Sequence, residues 1–269
     1  MNHFFEYSDR NFGINHAYDK SPSTENFQMH THDTTEIFYF IKGKGIYHIE
    51  GSEYILEAGD IIIMRPSESH YIEIDTKHPY ERIVINFNTD FFEKIDSDNL
   101  LLKAVLERKS GKLNQYKSYD FRNESYKQYL ENMISDDGNP RINIITNLMP
   151  LLNEIYLAYI SRQTEENSLD TTEYRIIRYI NKNLSADINL DTICSKYYVS
   201  KPQLCRIFKK STGTTVWQYI TIKRLIMAKQ LILSGKNPTH IFADCGFNDY
   251  STFYRAYVKN FGHSPKEEM

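Results

Sequence analysis

The sequence has few cysteines and no long apolar run, and both absences narrow the class of protein. Among 269 residues there are three cysteines, Cys194, Cys205 and Cys245, and no Cys-x-x-Cys pair. An odd, widely spaced set argues against a disulfide framework and suits a reducing compartment. Residues 1–14 lack the apolar core of a signal sequence, and no apolar stretch approaches the ~20 residues of a transmembrane helix. We therefore expect a cytoplasmic protein that does not contact a membrane.

The net charge is small, but it hides a division along the chain. The formal charge is −3 overall, with about +8 on residues 171–269 and about −11 on the remainder. A basic segment on an acidic body is typical of a protein whose C-terminal part alone meets nucleic acid. Such asymmetry is also common in other proteins, so this interpretation depends on the motifs below.

The stretch 189–265 contains one short unit twice, at an offset of 49 residues. In each copy a residue able to cap a helix, Ser200 or Asp249, comes first. An apolar residue then precedes an aromatic one by four places, basic residues lie on the opposite face, and a glycine ends the helix. The matched positions are Leu204 and Phe253, Arg206 and Arg255, Phe208 and Tyr257, Lys210 and Lys259, Gly213 and Gly262.

A short helix is predicted before each copy. Asn189 caps the first of these helices, and Asn237 caps the second, with Pro238 at its first position. A helix, a tight turn and a basic second helix form the layout of a helix-turn-helix DNA reader. Residues 214–234 show helical periodicity and would span roughly 30 Å, close to the ~34 Å between successive major-groove faces of B-DNA. One chain could therefore place two readers in adjacent grooves.

These residues resemble the DNA-binding domain of the AraC/XylS family of bacterial transcription regulators. The positions that match the family signature are Ala243, Gly246, Phe247, Phe253, Arg255, Gly262 and Pro265. Tyr257-Val258 departs from the Phe-Lys pair of the family, which bears on one or two phosphate contacts. The resemblance implies binding to double-stranded promoter DNA, a homodimer and contact with RNA polymerase.

The residues expected to face DNA follow from the helical spacing. On the first recognition helix they are Lys201, Pro202, Gln203, Cys205, Arg206, Lys209 and Lys210, and on the second they are Tyr250, Ser251, Thr252, Tyr254 and Arg255. Arg206 suits guanine O6 and N7, Gln203 suits adenine, and the lysines suit phosphates. The second set has one arginine and no amide, so it is expected to discriminate less. Arg224, between the copies, is expected to pair within its own domain.

Residues 27–87 alternate with period two between glycine-rich turns. Six strands are predicted, over residues 36–42, 46–50, 54–56, 61–64, 70–74 and 80–87. This pattern favours an antiparallel barrel or jelly roll. It is similar to the cupin barrel at the N-terminus of many AraC-type regulators, on the positions His30, His32, Glu36, Gly43, Gly59, Asp60, Pro66 and His70.

The residues His30, His32, Glu36 and His70 have three interpretations. His30, His32 and Glu36 would share one face of a strand, and His70 on a neighbouring strand would complete the metal-ligand set that metal-dependent cupin enzymes have. They could instead bind a small polar ligand in the barrel mouth, or be purely structural. Pro66 and Ile74 depart from the enzyme pattern. The ligand role is preferred, and no metal or other cofactor is expected.

Helical periodicity follows the barrel. One short helix is predicted around residues 100–106 and another around Tyr126, Leu130 and Met133. A longer stripe at Ile142, Ile145, Leu148, Leu152, Ile155 and Tyr159 is interrupted by Pro150, which should kink or restart the helix. This stripe could dimerise the sensor or only pack on the barrel. The expected domains are a barrel at 1–92, a helical region at 93–162, a linker at 163–170 and a DNA-binding domain at 171–269.

The sequence thus predicts an α+β fold, with an N-terminal antiparallel barrel and an all-α domain of two helix-turn-helix units joined by a long helix. The favoured function is a non-enzymatic regulator that binds promoter DNA and senses a small molecule in its barrel. Carbohydrate is the first expectation for that effector, by resemblance alone. The alternatives are a metal-dependent cupin enzyme fused to a DNA-binding domain, and a constitutive regulator whose barrel only dimerises.

Overall fold

The computed structural model describes residues 2–23, 29–92, 95–96, 98–163 and 172–268, with the backbone alone at 173, 174, 210 and 211. The chain forms two compact units, residues 1–169 and 170–269, which are described in turn. The predicted linker at 163–170 lies outside the described residues, except for Gln163. No helix within the described ranges has both the length and the apolar character that crossing a membrane requires.

The N-terminal unit is built on two antiparallel β-sheets. The strands are β1 (Asn2–Ser8), β2 (Phe12–Asp19), β3 (Thr35–Lys42), β4 (Gly45–Ile49), β5 (Ser52–Ile55), β6 (Ile61–Met64), β7 (His70–Ile74), β8 (Tyr80–Phe87) and β9 (Gln115–Tyr116). The larger sheet has the order β1-β2-β8-β3-β6-β9, and the smaller one has the order β5-β4-β7. The predicted antiparallel β architecture is therefore confirmed.

Strand β3 shows how the sequence builds the sandwich. Its alternate residues Phe38 and Phe40 pack between the two sheets, together with Tyr47 of β4. Ile37, on the other face, packs with the helices that follow the sheets. Both faces of the central strands are thus buried, which explains why all four residues of β6 are apolar.

Three strands were not predicted from the sequence. Strand β1 is an exposed edge strand that pairs only with β2, so it lacks a clear alternating apolar pattern. Strand β2 has only a short alternating apolar pattern, in which Phe12 and Ile14 are two residues apart and both are buried. Strand β9 has only two residues, and its pairing with β6 comes from tertiary contact rather than from local sequence.

Three helices cover the outer face of the larger sheet. They are α1 (Lys103–Leu106), α2 (Ser125–Met133) and α3 (Pro140–Arg162). Tyr126, Leu130 and Met133 of α2 are buried as predicted. The apolar residues of α3 from Leu148 to Tyr159 join the core formed with the sheet, so this stripe packs on the β structure.

Helix α3 differs from the sequence expectations at two places. It does not restart at Pro150, one of the two outcomes expected there, but runs through this residue as one element. Thr146, whose carbonyl loses its helical N–H donor to Pro150, is exposed, so water can replace that donor. Ile142 is 59% exposed, and Ile144 is buried in its place.

A buried ion pair joins two distant segments of the N-terminal unit. Arg108 donates from Nη1 to Oε1 of Glu68 over 2.7 Å and from Nη2 to Oε2 of the same carboxylate. The backbone N–H groups of Arg65 and Gly111 and the amide of Asn114 also donate to Glu68, over 3.0, 2.9 and 3.2 Å. These bonds lower the pKa of Glu68 against the opposing effect of burial. The turn before β7 is thereby tied to a segment about forty residues further along the chain.

The C-terminal unit is entirely helical within the described ranges. Its helices are α4 (Thr172–Lys182), α5 (Leu190–Tyr197), α6 (Lys201–Thr212), α7 (Val216–Leu233), α8 (Pro238–Ile241) and α9 (Tyr250–Phe261). Ile176, Ile177 and Ile180 of α4 are buried, while the side chain of Tyr174 lies outside the described part. Helix α7 has 18 residues and spans about 27 Å.

The predicted helix caps are confirmed. The side chains of Asn189, Ser200, Asn237 and Asp249 each accept a backbone N–H at the start of α5, α6, α8 and α9. Gly213 and Gly262 end α6 and α9 with φ of 72° and 80°. The two copies thus share the same local chemistry at both ends of the second helix.

Gly246 is confined by the arginine of the connecting helix. Arg224 donates from Nε to the carbonyl of Leu184 over 2.8 Å and from Nη2 to that of Ala186 over 2.9 Å, so it pairs within its own unit as predicted. A Cβ on Gly246 would lie 2.5 Å from the Leu184 carbonyl oxygen and 2.8 Å from the Arg224 guanidinium, at a φ of +82°. A residue without a side chain is therefore required here.

We expect Gly246→Ala to destabilise the C-terminal unit more than Gly262→Ala does. Both positions carry a positive φ, which costs alanine about 1–2 kcal/mol. At Gly246 the new Cβ would also overpack its neighbours, at a further cost of about 1–3 kcal/mol. At Gly262 nothing lies within 4 Å of the new Cβ, so this second cost is absent. Urea unfolding followed by the fluorescence of Trp217, the single tryptophan, measures the difference. Equal losses would show that the Arg224 contact does not confine Gly246.

We expect Glu68→Gln to destabilise the N-terminal unit by about 3–5 kcal/mol, because it leaves the Arg108 charge buried without a counterion. Far-UV circular dichroism in urea measures this loss, and Trp217 fluorescence should not change. The double variant Glu68→Gln/Arg108→Met should recover part of the stability. A double variant no more stable than the single one would contradict this account.

The same pair predicts a pH dependence. The native pKa of Glu68 is held below its ordinary 4.5, so the pair contributes stability above that pH, and this contribution is lost as the pH falls below it. The difference between wild type and Glu68→Gln should therefore shrink between pH 5 and pH 3. A constant difference over that range would show that Glu68 is not ionised in the native protein.

Candidate functional site

Three polar side chains converge where β3 and β7 begin. Glu36 is the second residue of β3, His70 is the first of β7, and His32 precedes β3. The prediction that His30 and His32 share a regular strand face with Glu36 was wrong, because β3 begins only at Thr35. His30 instead forms an isolated bridge with His70, with two backbone hydrogen bonds of 3.0 Å. The chain then turns and brings His32 to Glu36.

The backbone orients the rings of His32 and His70. Nδ1 of His32 lies 2.8 Å from the Thr34 carbonyl, and Nδ1 of His70 lies 2.8 Å from the Glu68 carbonyl. A carbonyl oxygen can only accept, so each Nδ1 carries the hydrogen and Nε2 points towards the cluster. Nε2 of His32 lies 3.0 Å from Oε2 of Glu36. Nε2 of His70 is buried without a hydrogen-bond partner among the described residues.

Burial and charge set the ionisation of the cluster. Burial alone would raise the pKa of Glu36, but contact with His32 brings it down to about 2. Burial lowers the pKa of His32, but the Glu36 carboxylate outweighs that effect and the pKa is raised. Burial lowers the pKa of His70 to about 3. At neutral pH the cluster therefore presents an ionised carboxylate beside a neutral imidazole.

The structure brings together three of the four predicted residues. One ligand atom from each of His32, Glu36 and His70 lies within 4.8 Å of the others, and this is the set that could hold a metal ion. His30 is exposed, with its ring centroid 4.4 Å from that of His70, and it lies at the edge of the set.

The sequence interpretation missed a further member of the cluster. Tyr47 of β4 donates from its hydroxyl to Oε1 of Glu36 over 3.4 Å. Its ring does pack in the core between the sheets, beside Phe38. The alternation of Tyr47 and Ile49 along β4 gave the direction of the ring, but no local pattern indicated its polar partner.

Helix α6 presents the first predicted DNA-facing set. Leu204 and Phe208 are fully buried, whereas the predicted residues outside this core face are exposed, namely Lys201, Pro202, Gln203, Cys205, Arg206 and Lys209. The side chain of Lys210 lies outside the described part. Lys201 forms an ion pair with Asp191 over 2.8 Å. Gln203 accepts the backbone N–H of Ser200 over 3.4 Å in a capping box, so its amide oxygen is already engaged.

Helix α9 presents the second set with fewer available groups. Ser251, Thr252, Tyr254 and Arg255 are exposed, whereas Tyr250 is half-buried against Phe242 and Phe253. The Thr252 hydroxyl donates to the capping carboxylate of Asp249 over 2.8 Å. Arg255 therefore supplies the only cationic side chain among the five residues predicted for this helix.

Two family patterns match the chain, one in each unit. Residues 16–115 match the AraC-like ligand binding domain, and this range contains the cluster of His32, Glu36 and His70. Residues 193–268 match a helix-turn-helix domain, and this range contains α6 and α9.

Several curated relatives are similar over most of the chain. The HTH-type transcriptional activator RhaS of Mannheimia succiniciproducens is 25% identical over 90% of this chain and 89% of the relative. The Msm operon regulatory protein of Streptococcus mutans is 24% identical over 99% and 96%. The raffinose operon transcriptional regulatory protein RafR of Pediococcus pentosaceus is 24% identical over 87% and 83%.

The solved structure of ToxT from Vibrio cholerae aligns with 96% of this chain and 97% of its own, with 13% identity and a TM-score of 0.42. The two domain matches and the curated relatives agree with the helix-turn-helix repeat and with the antiparallel sensor unit. The chain therefore combines an AraC-like ligand binding domain with a helix-turn-helix domain, the arrangement of a ligand-sensing, DNA-binding transcription regulator.

Proposed function

We propose that this regulator recognises its promoter mainly through Arg206, and that a neutral, hydroxyl-rich small molecule bound at Glu36 controls its activity. The observation that carries the first part is the exposed Arg206 on a capped helix whose other face is locked into the core by Leu204 and Phe208. A guanidinium held on a rigid helix can bind guanine O6 and N7 in a bidentate manner. The proposed contact set on double-stranded promoter DNA is the one predicted for α6 and α9.

The two recognition helices are proposed to contribute unequally. Helix α6 carries Lys201, Arg206 and Lys209 on its exposed side, whereas α9 carries Arg255 alone among its predicted contacts. Gln203 can still donate from its amide to adenine N7, but its oxygen must first leave the capping box to accept from adenine N6. We therefore assign most base discrimination to α6, and most backbone positioning to its lysines.

The effector class is proposed from the charge of the sensor cluster. A buried, ionised Glu36 favours a ligand that donates hydrogen bonds and disfavours an anion. Nε2 of His70 and the Tyr47 hydroxyl add two groups that can bind hydroxyls. A carbohydrate meets these demands, and one relative is named for a raffinose operon. His30 is proposed to contact the same ligand from the edge of the cluster.

We further propose a cytoplasmic homodimer that contacts RNA polymerase and has no catalytic role. Ile142 and Ile160 of α3 are exposed and lie 18 residues apart, a spacing that places them on one face of a helix, which supports dimerisation through α3. The relatives named as transcriptional activators support contact with RNA polymerase. The naming of these relatives as regulators also favours a sensor over an enzyme.

We expect Arg206→Ala to weaken binding to the preferred DNA site by about 1–3 kcal/mol and to relax discrimination at one base pair. The site is first selected from a random duplex library with the full-length protein, and affinities are then measured on the site and on single-base variants. Arg206→Lys keeps the positive charge but lacks the paired N–H donors of the guanidinium, so it should also lose discrimination between base pairs.

Lys209→Ala is the matched control. It should weaken binding to every duplex alike and reduce the slope of log K against log salt by about 0.9, since a phosphate contact carries no sequence information. Equal loss on all sequences for Arg206→Ala would show that Arg206 also binds only phosphate. A protein that prefers no duplex over random DNA at moderate salt would overturn the proposed function.

We expect neutral oligosaccharides such as raffinose, rather than uronic acids, to raise the unfolding midpoint of the N-terminal unit. At a ligand concentration of 100 times the dissociation constant the stabilisation is about 2.7 kcal/mol. Glu36→Gln should abolish it, whereas Glu73→Gln, at a mostly exposed carboxylate on β7, should leave it unchanged. Preferential stabilisation by the acids would contradict the proposed effector class.

A further inference from the structure

We propose that a surface beside the first recognition helix binds the phosphate backbone of the duplex. This phosphate surface has three cations and three tyrosines, from α4, the end of α5 and its C-cap, namely Arg175, Arg178, Lys196, Tyr179, Tyr197 and Tyr198. It lies outside the contact set proposed for α6 and α9. The inference rests on the proposed binding of DNA, to which it adds contacts that do not depend on sequence.

Cation–π contacts join α4 to the end of α5. The Nζ atom of Lys196 lies 4.4 Å from the centroid of the Tyr179 ring, and Cζ of Arg175 lies 5.7 Å from that of Tyr197. The two rings meet edge to face, with their centroids 5.9 Å apart. Burial raises the pKa of Tyr197, and the charges of Arg175 and Arg178 oppose that rise. The three cations are therefore gathered around one pair of rings.

The positive charge of this surface is not neutralised within the described part of the chain. Arg175, Arg178 and Lys196 are exposed, and no described carboxylate forms an ion pair with any of them. Lys201, at the start of α6, is by contrast paired with Asp191 over 2.8 Å. Three uncompensated cations on a DNA-binding unit are complementary in charge to the phosphates of a duplex.

Tyr198 places an aromatic ring where helices commonly end with glycine. Its φ of 55° and ψ of 43° are left-handed, and its N–H donates to the carbonyl of Cys194. In the turn of the second helix-turn-helix, Gly246 takes the positive φ, of 82°. This conformation is costly for a residue with a side chain, and the Tyr198 side chain is 95% exposed, so packing within the chain does not offset the cost. Strain of this kind persists where a side chain serves a function.

The position of Tyr198 places the phosphate surface beside the groove that α6 reads. Tyr198 precedes Ser200, the N-cap of α6, by two residues. The N-terminal residues of a recognition helix enter the major groove, so the turn before them lies near the phosphates that line it. Tyr197 connects this turn to Arg175 of α4. Arginine, lysine and tyrosine are all side chains that bind phosphate oxygens in such interfaces.

Tyr198→Gly separates a contact with DNA from a structural role. Glycine adopts the left-handed conformation without steric cost, so the variant should unfold at a higher urea concentration than wild type, as followed by Trp217 fluorescence. It should nevertheless bind the selected duplex about tenfold more weakly, because a hydrogen bond to a charged phosphate is lost. Tyr198→Phe should lose the same affinity without the gain in stability.

Either of two results with Tyr198→Gly would overturn the assignment of this residue. Greater stability with unchanged affinity would show that the ring does not touch DNA. A lower unfolding midpoint would show that the ring stabilises the fold itself.

The double variant Arg175→Gln/Arg178→Gln tests the charged part of the surface. The slope of log K against log salt should fall by about 1.8, which is about 0.9 for each lost phosphate contact, and the preference among base pairs should not change. Lys44→Gln/Lys77→Gln is the matched control, since it removes the same charge from two exposed lysines of the sensor unit. It should leave the slope unchanged. An unchanged slope in the arginine variant would overturn the phosphate surface.

Neutral methylphosphonates, placed one at a time along the selected duplex, locate the contact. At a phosphate bound by this surface the substitution should weaken binding by wild type, but it should not weaken the arginine double variant further. These positions should border the segment that Arg206 reads. The absence of any such coupled position would overturn the inference. Lost transcription activation with unchanged DNA binding would instead assign the surface to a protein partner.

The behaviour of wild type keeps the two proposals apart. A wild-type protein that prefers no duplex over random DNA contradicts the proposed function, while the salt slopes on random DNA still test the phosphate surface. A wild-type protein that prefers its duplex, with an arginine double variant of unchanged slope, loses only the phosphate surface.

Discussion

The buried pair between Glu68 and Arg108 is the constraint on which the sensor site depends. The Glu68 carboxylate accepts from Arg65 in its own turn and from the distant segment 108–114, and the carbonyl of the same residue accepts from Nδ1 of His70. The next residue, Ser69, donates its backbone N–H to the buried carboxylate of Glu50 over 2.6 Å. Three consecutive residues are thereby fixed, two of them through bonds to buried carboxylates and His70 through a bond to a backbone carbonyl. Removing water from such a pair is costly, so its main effect is to select one arrangement of the chain.

The fold was predictable where the signal is local. Alternating apolar residues gave β3 to β8, and capping residues such as Asn189 and Ser200 gave the starts of α5 and α6. Strands β1, β2 and β9 were missed, because their pairing depends on partners elsewhere in the sheet. Helix α3 does not restart at Pro150, because the core holds the helix on both sides of this residue and tertiary packing then outweighs a local preference.

The sensor cluster was predictable in composition but not in geometry. The sequence grouped His32, Glu36 and His70, which do lie together, although a shared strand face was the wrong reason for grouping them. What joins them is the bridge between His30 and His70 and the turn that follows it. Neither feature has a local pattern, and the same holds for the hydroxyl of Tyr47. On the DNA-facing helices the exposure followed from periodicity, while the engagement of Gln203 and Thr252 in caps depends on side-chain geometry.

Arg224 meets both halves of the DNA-binding unit at one point. Arg224 donates hydrogen bonds to the carbonyls of Leu184 and Ala186, in the loop that leads to the first helix-turn-helix. Its guanidinium also packs against Gly246, in the turn of the second helix-turn-helix. Neither helix-turn-helix can rotate relative to α7 without breaking these contacts of Arg224. If α6 and α9 both contact DNA as proposed, this rigid connection fixes the number of base pairs between the two contacted segments of the operator.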